Sequence, residues 1–317
     1  MTEKNKLRLL NITTRQLVFI VLLVLCLTPL ITPPIALLLG LIVAQFIGHP
    51  FLKLNQAAIR LLLQVSVVGL GFGMNVNSAM KAGKEGLLFS VVSIFGALLT
   101  GALLGKLFKV ESKTSYLIST GTAICGGSAI AAVAPVIEAK EHEISVALGS
   151  IFILNAVALF IFPVIGHAMH LSEMQFGLWS AVAIHDTSSV VGAAGRYGSQ
   201  ALEIATTVKL ARALWIIPVA IGTAVIYKSK TKKIKIPWFI VFFVIAMILN
   251  TYITAIQHIA PYITGIARTG LTLTLFLIGA GLSPKTLSLV GVKPLLQALI
   301  LWIVISALAL WAVIAFG

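Results

Sequence analysis

The sequence predicts an all-α protein that crosses a membrane many times, and three observations carry that reading. Of its 317 residues 59% are hydrophobic and 10% charged, with a mean hydropathy of +1.07, whereas a soluble domain averages about 45–50% apolar and about 25% charged. Apolar runs of about twenty residues, each able to span ~30 Å of hydrocarbon as a helix, recur from end to end. Basic residues gather in alternate connections between those runs. No stretch is polar enough for a separate soluble domain, so residues 1–317 read as one integral membrane transporter domain with a cytoplasmic tail over 1–16.

Eleven segments follow in order: 17–31, 33–48, 58–74, 86–105, 114–137, 144–166, 174–195, 203–227, 236–256, 260–282 and 294–316. Breakers mark several boundaries. Pro29, Pro33 and Pro34 separate the first two segments, Gly48-His49-Pro50 closes the second, and Ile236-Pro237 opens the ninth. The basic N-terminus precedes an apolar run that ends in TPLITPP rather than a small-residue cleavage site, so the first segment reads as a retained helix.

Charge orients these segments. With the N-terminus inside, one face carries Lys4, Lys6, Arg8, Arg15, Lys53, Lys106, Lys109, Lys113, Lys228, Lys230, Lys232, Lys233, Lys235, Lys285 and Lys293, and the other only Lys81, Lys84, Lys140 and Arg196. That asymmetry places the N-terminus in the cytoplasm and the C-terminus outside, and it explains the net charge of +14 without nucleic acid. Cys26 and Cys125 both fall in apolar segments, at no spacing that suggests a disulfide or zinc. No metal and no cofactor are expected.

Four basic residues lie within segments. Arg60 is near enough to a helix end to reach the interface. Lys209, Arg212 and Arg268 lie deeper, at roughly 9–14 Å by helical rise. An ionisable residue at such depth is a functional-site candidate by default. Asp186 sits near the middle of its segment, and Lys209 and Arg212, three apart, share one helical face. One acid among three bases leaves positive charge for an anion to balance. A buried Asp–Lys or Asp–Arg pair that only pins two helices is the alternative.

Two motifs break the helical pattern. In 114–137, Gly121, Gly126 and Gly127 with Thr120, Thr122 and Ser128 predict an unwound stretch, Ser128 suiting the N-cap of a new half-helix. Close packing of small residues is the alternative. The second motif is AIHDTSSVVGAA, at 183–194. Half-helix starts present free N–H groups and the positive end of a helix dipole, which suits an anion. His185 is a candidate proton carrier, its unperturbed pKa of about 6.5 lying near physiological pH. Asp186 and Thr187 offer hard oxygens that suit sodium equally well. His167 and His170, three apart with no third ligand in view, read as a wet loop.

Two internal echoes accompany these motifs. Ala123, Ile124, Ser128 and Ala134 match Ala183, Ile184, Ser188 and Ala194, and Arg60, Leu63, Gly71, Gly73 and Gly83 match Arg268, Leu271, Gly279, Gly281 and Gly291. The second pair of segments would run in opposite directions, as in an inverted repeat, and the first pair in the same direction, so the repeat unit stays open.

GTAICGGSAIAAVAP at 121–135, FGLWSAVAIHDTSSVVGAA at 176–194 and ALEIATTVKLAR at 201–212, with PWF at 237–239 and GAGL at 279–282, resemble the bacterial YeiH-type membrane proteins, the sulfate exporter family. The resemblance covers nearly the whole chain. It implies an inner-membrane protein with the inverted five-helix repeats and crossed broken helices of the bile-acid symporter and sodium–proton antiporter group. The family pattern falls on Thr122, Cys125, Gly126, Ser128, His185, Asp186, Thr187, Glu203, Lys209 and Arg212. Ser188-Ser189 stand where family members have Ala-Gln, which removes a side-chain amide there.

The function expected is secondary transport, as an exporter, of a small inorganic or sulfur-containing anion such as sulfate, driven by an ion gradient. An intramembrane enzyme and an anion-binding channel or sensor are the alternatives. The chain is not expected to be an enzyme, since no second deep carboxylate accompanies Asp186. Expected substrate-binding residues are Thr122, Cys125, Gly126, Gly127, Ser128, Thr187, Ser188, Lys209 and Arg212, with His185 and Asp186 coupling to a proton or sodium. The lipid bilayer and the anion are the expected partners, and a homodimer is left open.

Overall fold

The computed structural model describes residues 12–227, 238–282 and 290–316, and the regular structure among them is helical. In chain order the helices are α1 (Ile12–Leu25), α2 (Pro33–Ile42, extended by a π turn over Val43–Ile47), α3 (Leu52–Gly71), α4 (Val76–Leu107), α5 (Ser112–Ala123), α6 (Gly127–Val133) and α7 (Glu141–Ala168). They continue as α8 (Glu173–Ala183), α9 (Thr187–Tyr197), α10 (Ser199–Ala213), α11 (Ile216–Ile226), α12 (Trp238–Tyr252), α13 (Thr254–Gly281) and α14 (Val292–Phe316). Each predicted segment falls on one helix or on a pair separated by a short break. The protein is a multi-pass helical membrane protein. Its long apolar candidate spans are Ser90–Leu107, Glu141–Ala168, Ser199–Ile226, Thr254–Gly281 and Val292–Ala315. The N-terminal basic residues to Arg8, the 228–235 basic connection, Lys285 and the Ile236-Pro237 boundary lie outside the described residues.

The chain gathers into two compact units, one of α1–α3, α12 and α13, the other of α4–α11 and α14. In the first, α13 packs on both α2 and α3. Glycines let the backbones meet: a Cβ on Gly40 would overlap the Phe276 carbonyl oxygen, and one on Gly279 would overlap that of Leu37. Phe19, Cys26, Ala36, Val43, Phe276, Leu277 and Ala280 form a buried cluster beside this contact. Along α3 and just past its end, Gly73 meets Thr264, Gly69 meets Ala267, Ser66 meets Gly270, and the Asn55 amide donates to the Leu277 carbonyl at 3.1 Å. Ascending α3 against descending α13 makes the pair antiparallel, the direction expected for the Arg60/Arg268 echo. Arg268 itself is exposed on α13, as is Arg60 on α3. The expectation that Arg268 adds a buried third cation is therefore corrected: depth along a helix does not say which face a residue occupies.

The second unit contains the breaks. α10 packs along α8 and α9, α7 along α5 and α9, and α14 along α5, α7 and α8. The join between α10 and α11 tightens to i−3 bonds, Leu214 N–H to Ala211 O and Trp215 N–H to Arg212 O, just before Pro218 removes a helical donor. The 123–134 and 183–194 echo lies wholly within this unit, and the Arg60/Arg268 helices lie within the first.

Candidate functional site

The break after α5 is made by a backbone turn that only glycine adopts readily. Ile124 leaves the helix at φ −118°, and Gly126 follows at φ +63°, ψ −124°. Two bonds close the frayed end, Ile124 N–H to Thr120 O at 3.2 Å and Gly126 N–H to Gly121 O at 2.8 Å. α6 starts at Gly127, so the N-cap position falls on Gly126 and not on Ser128. Ser128 is the second residue of α6 and exposed, which corrects its expected capping role. The chain reverses two residues earlier than the hydroxyl suggested, at the positive φ. Gly127 is half-buried, with room for a Cβ only 3.3 Å from Leu148 and 3.4 Å from Phe152 of α7. Thr122 and Cys125 are buried.

The second break lies between α8 and α9, at Ile184-His185-Asp186. Ile184 and Asp186 are extended, with ψ of 124° and 142°. The His185 N–H donates to Asn155 Oδ1 of α7 at 3.0 Å. Asp186 is the N-cap of α9. Its Oδ2 accepts the Ser189 N–H and the Ser189 hydroxyl, both at 3.0 Å, and also the Ser188 hydroxyl. One backbone N–H of this half-helix start, that of Ser189, is thus taken by an aspartate of its own chain. Thr187 and Ser188 are buried in that turn. The two breaks touch: a Cβ on Gly126 would lie 3.5 Å from the carbonyl carbon and oxygen of His185.

Lys209 and Arg212, both 0% exposed, arrive from α10 at the ends of the two preceding half-helices. Lys209 Nζ donates to Ala181 O at 3.2 Å and Ile184 O at 2.7 Å, at the C-terminus of α8. Arg212 Nε donates to Ala123 O at 2.7 Å, at the C-terminus of α5, and its Nη1 donates to Ser93 Oγ. Each cation thereby meets orphan carbonyls and the negative end of a helix dipole. Trp302 Nε1 adds a donor to Ala183 O at 2.9 Å. These bonds go to helix ends, whereas the described contacts of Asp186 go to α9.

Several buried polar atoms on the residues around the two breaks have no partner: Arg212 Nη2, Thr122 Oγ1, Asn155 Nδ2 and both ring nitrogens of His185. Their residues are tied together by the contacts above, Thr122 next to the Ala123 that Arg212 holds, and Asn155 bonded to His185. Glu203, half-buried on α10, lies about 9 Å of helical rise before Lys209. His167 stands apart, stacked on Tyr197 at 4.3 Å. Among the described residues no three His, Cys, Asp or Glu side chains form a metal-holding group. Sequence reasoning missed Asn155, Ser93 and Trp302. A lone asparagine in IFILNAVALF was a usable signal, since polar residues in membrane helices turn toward partners. Nothing local marked the other two.

The profile of the family described as conserved hypothetical protein 698 matches residues 15–298. A UPF0324 membrane protein of Bacteroides thetaiotaomicron is 60% identical over 278 residues, covering 87% of this chain and 84% of that protein. One from Porphyromonas gingivalis is 53% identical over 283 residues, covering 88% and 86%. Another, from Bdellovibrio bacteriovorus, is 49% identical over 296 residues, covering 92% and 91%. No solved structure matches the chain.

Proposed function

The chain belongs to the UPF0324 membrane protein family, the conserved hypothetical protein 698 group, and from that premise we propose that it is a secondary transporter, an exporter, of a small inorganic or sulfur-containing anion. The single observation that carries this reading is Arg212 at 0% exposure with Nη2 unpaired, in a unit where buried polar atoms of Thr122, Asn155 and His185 are unpaired too. Leaving a buried polar group unbonded costs about 1–3 kcal/mol each. An anion's oxygens offset that cost for all of them at once, and its charge suits a guanidinium.

Two helix breaks in contact at Gly126 and His185 support the same reading, because irregular backbone at membrane depth is tolerated where it is buried in protein or lines a wet cavity. Crossed interrupted helices are how many secondary transporters build a midplane site. All eleven segments are taken to cross the inner membrane, N-terminus in the cytoplasm and C-terminus outside, in the inverted-repeat arrangement that the resemblance implies. His185 and Asp186 are the coupling candidates. The test is uptake and efflux by purified protein in proteoliposomes, over a panel of oxyanions, with and without a pH or sodium gradient. Saturable movement of at least one oxyanion is the expected result, and its absence across the panel removes the reading.

A further inference from the structure

We infer that the site takes a singly charged oxyanion in preference to a bare dianion, an inference that rests on the anion-transport reading and narrows its substrate class. The argument is a balance of fixed charges. With both cations protonated, Lys209 and Arg212 bring two positive charges and Asp186 one negative, and Lys209 lies within electrostatic reach of the other two and of Cys125. Both cations are already engaged. Lys209 holds the Ala181 and Ile184 carbonyls and Arg212 the Ala123 carbonyl, so each faces a helix C-terminus worth roughly half a negative charge. Asp186 in turn caps the start of α9, a helix of 11 residues, worth roughly half a positive charge.

What remains is roughly half a positive charge. One negative charge brings the site near neutrality, whereas two leave it clearly negative in a setting where uncompensated charge is expensive. The unpaired Arg212 Nη2, Thr122 hydroxyl and Asn155 amide, with a ring N–H of His185, then supply donors to the oxygens without further charge.

Methanesulfonate and sulfate separate the two cases, being tetrahedral ions of similar size that carry one and two charges. Nitrate and thiosulfate extend the comparison. With wild-type protein in proteoliposomes, the monovalent ions are expected to half-saturate transport at concentrations at least about tenfold lower than the divalent ones. Asp186→Asn removes a negative charge while an amide oxygen still caps α9, and it should shift the ratio about tenfold toward sulfate. Lys209→Gln should shift it the other way. Equal or better transport of sulfate by the wild type overturns the inference and leaves anion transport standing. An unshifted ratio in a folded Asp186→Asn protein also overturns it. Movement of none of the four ions removes both readings, and if either variant fails to fold the wild-type ratio alone decides.

Discussion

Gly126 and His185 touch where the two interrupted segments meet, with a Cβ at 126 falling 3.5 Å from the His185 carbonyl. The contact joins a left-handed turn to the break between α8 and α9, where Ile184 and Asp186 are extended, and it brings the ends of α5 and α8 under the two cations of α10. Everything proposed for this protein depends on that contact.

Gly126→Ala tests it first. The φ of +63° disfavours any side chain, and the new Cβ would press on Ile151 at 3.3 Å. A loss of about 1–3 kcal/mol of stability is expected from the backbone alone, read as a lower melting temperature in detergent. An unchanged melting temperature would mean that the turn is not built as described.

Glycines in the first unit give a sharper contrast. Gly40→Ala and Gly279→Ala each put a methyl group into the backbone of the opposing helix, so α2 and α13 must separate. A loss of about 1–3 kcal/mol or more is expected. Gly222→Ala is the control, since nothing lies within 4 Å of its Cβ position, and it should be neutral or stabilising by up to ~1 kcal/mol. Thermal unfolding of the three variants side by side decides whether close α2–α13 contact exists.

Asp186 has a capping role that can be separated from a coupling role. Asn can also cap a helix, so Asp186→Asn should keep wild-type stability while Asp186→Ala loses ~1 kcal/mol. Transport by wild type and the Asn variant is then measured across pH, with sodium present or replaced by choline. A pH response that disappears in Asp186→Asn supports proton coupling, and strict sodium dependence supports a cation site. If the Asn variant matches wild type in both respects, Asp186 is a cap and nothing more.

How far the sequence could be read follows from which signals are local. The paired glycines at 126 and 127 announced a break, and the break is there, because backbone permissiveness is a property of the residue itself. Lys209 and Arg212 were expected deep in a helix and are buried there. Ser128 and Arg268 were misread for one reason: a residue's type and depth do not specify its position within a turn or its face on a helix. Which carbonyls the cations hold could not be foreseen, since the Arg212–Ala123 bond joins residues 89 apart in sequence. Equally, nothing local told that α12 and α13 would return to join α2 and α3.

The most direct measurement compares wild type, Arg212→Lys and Arg212→Gln for oxyanion transport in proteoliposomes, with insertion and melting temperature checked for each. Lysine keeps the charge but lacks the planar fork that bonds Ala123 and Ser93 while leaving Nη2 for a ligand. The account predicts saturable transport by the wild type, weakened transport by Arg212→Lys and near-background transport by Arg212→Gln. Normal transport by a correctly inserted Arg212→Gln protein would contradict it, and would leave Arg212 as a cap on α5 alone.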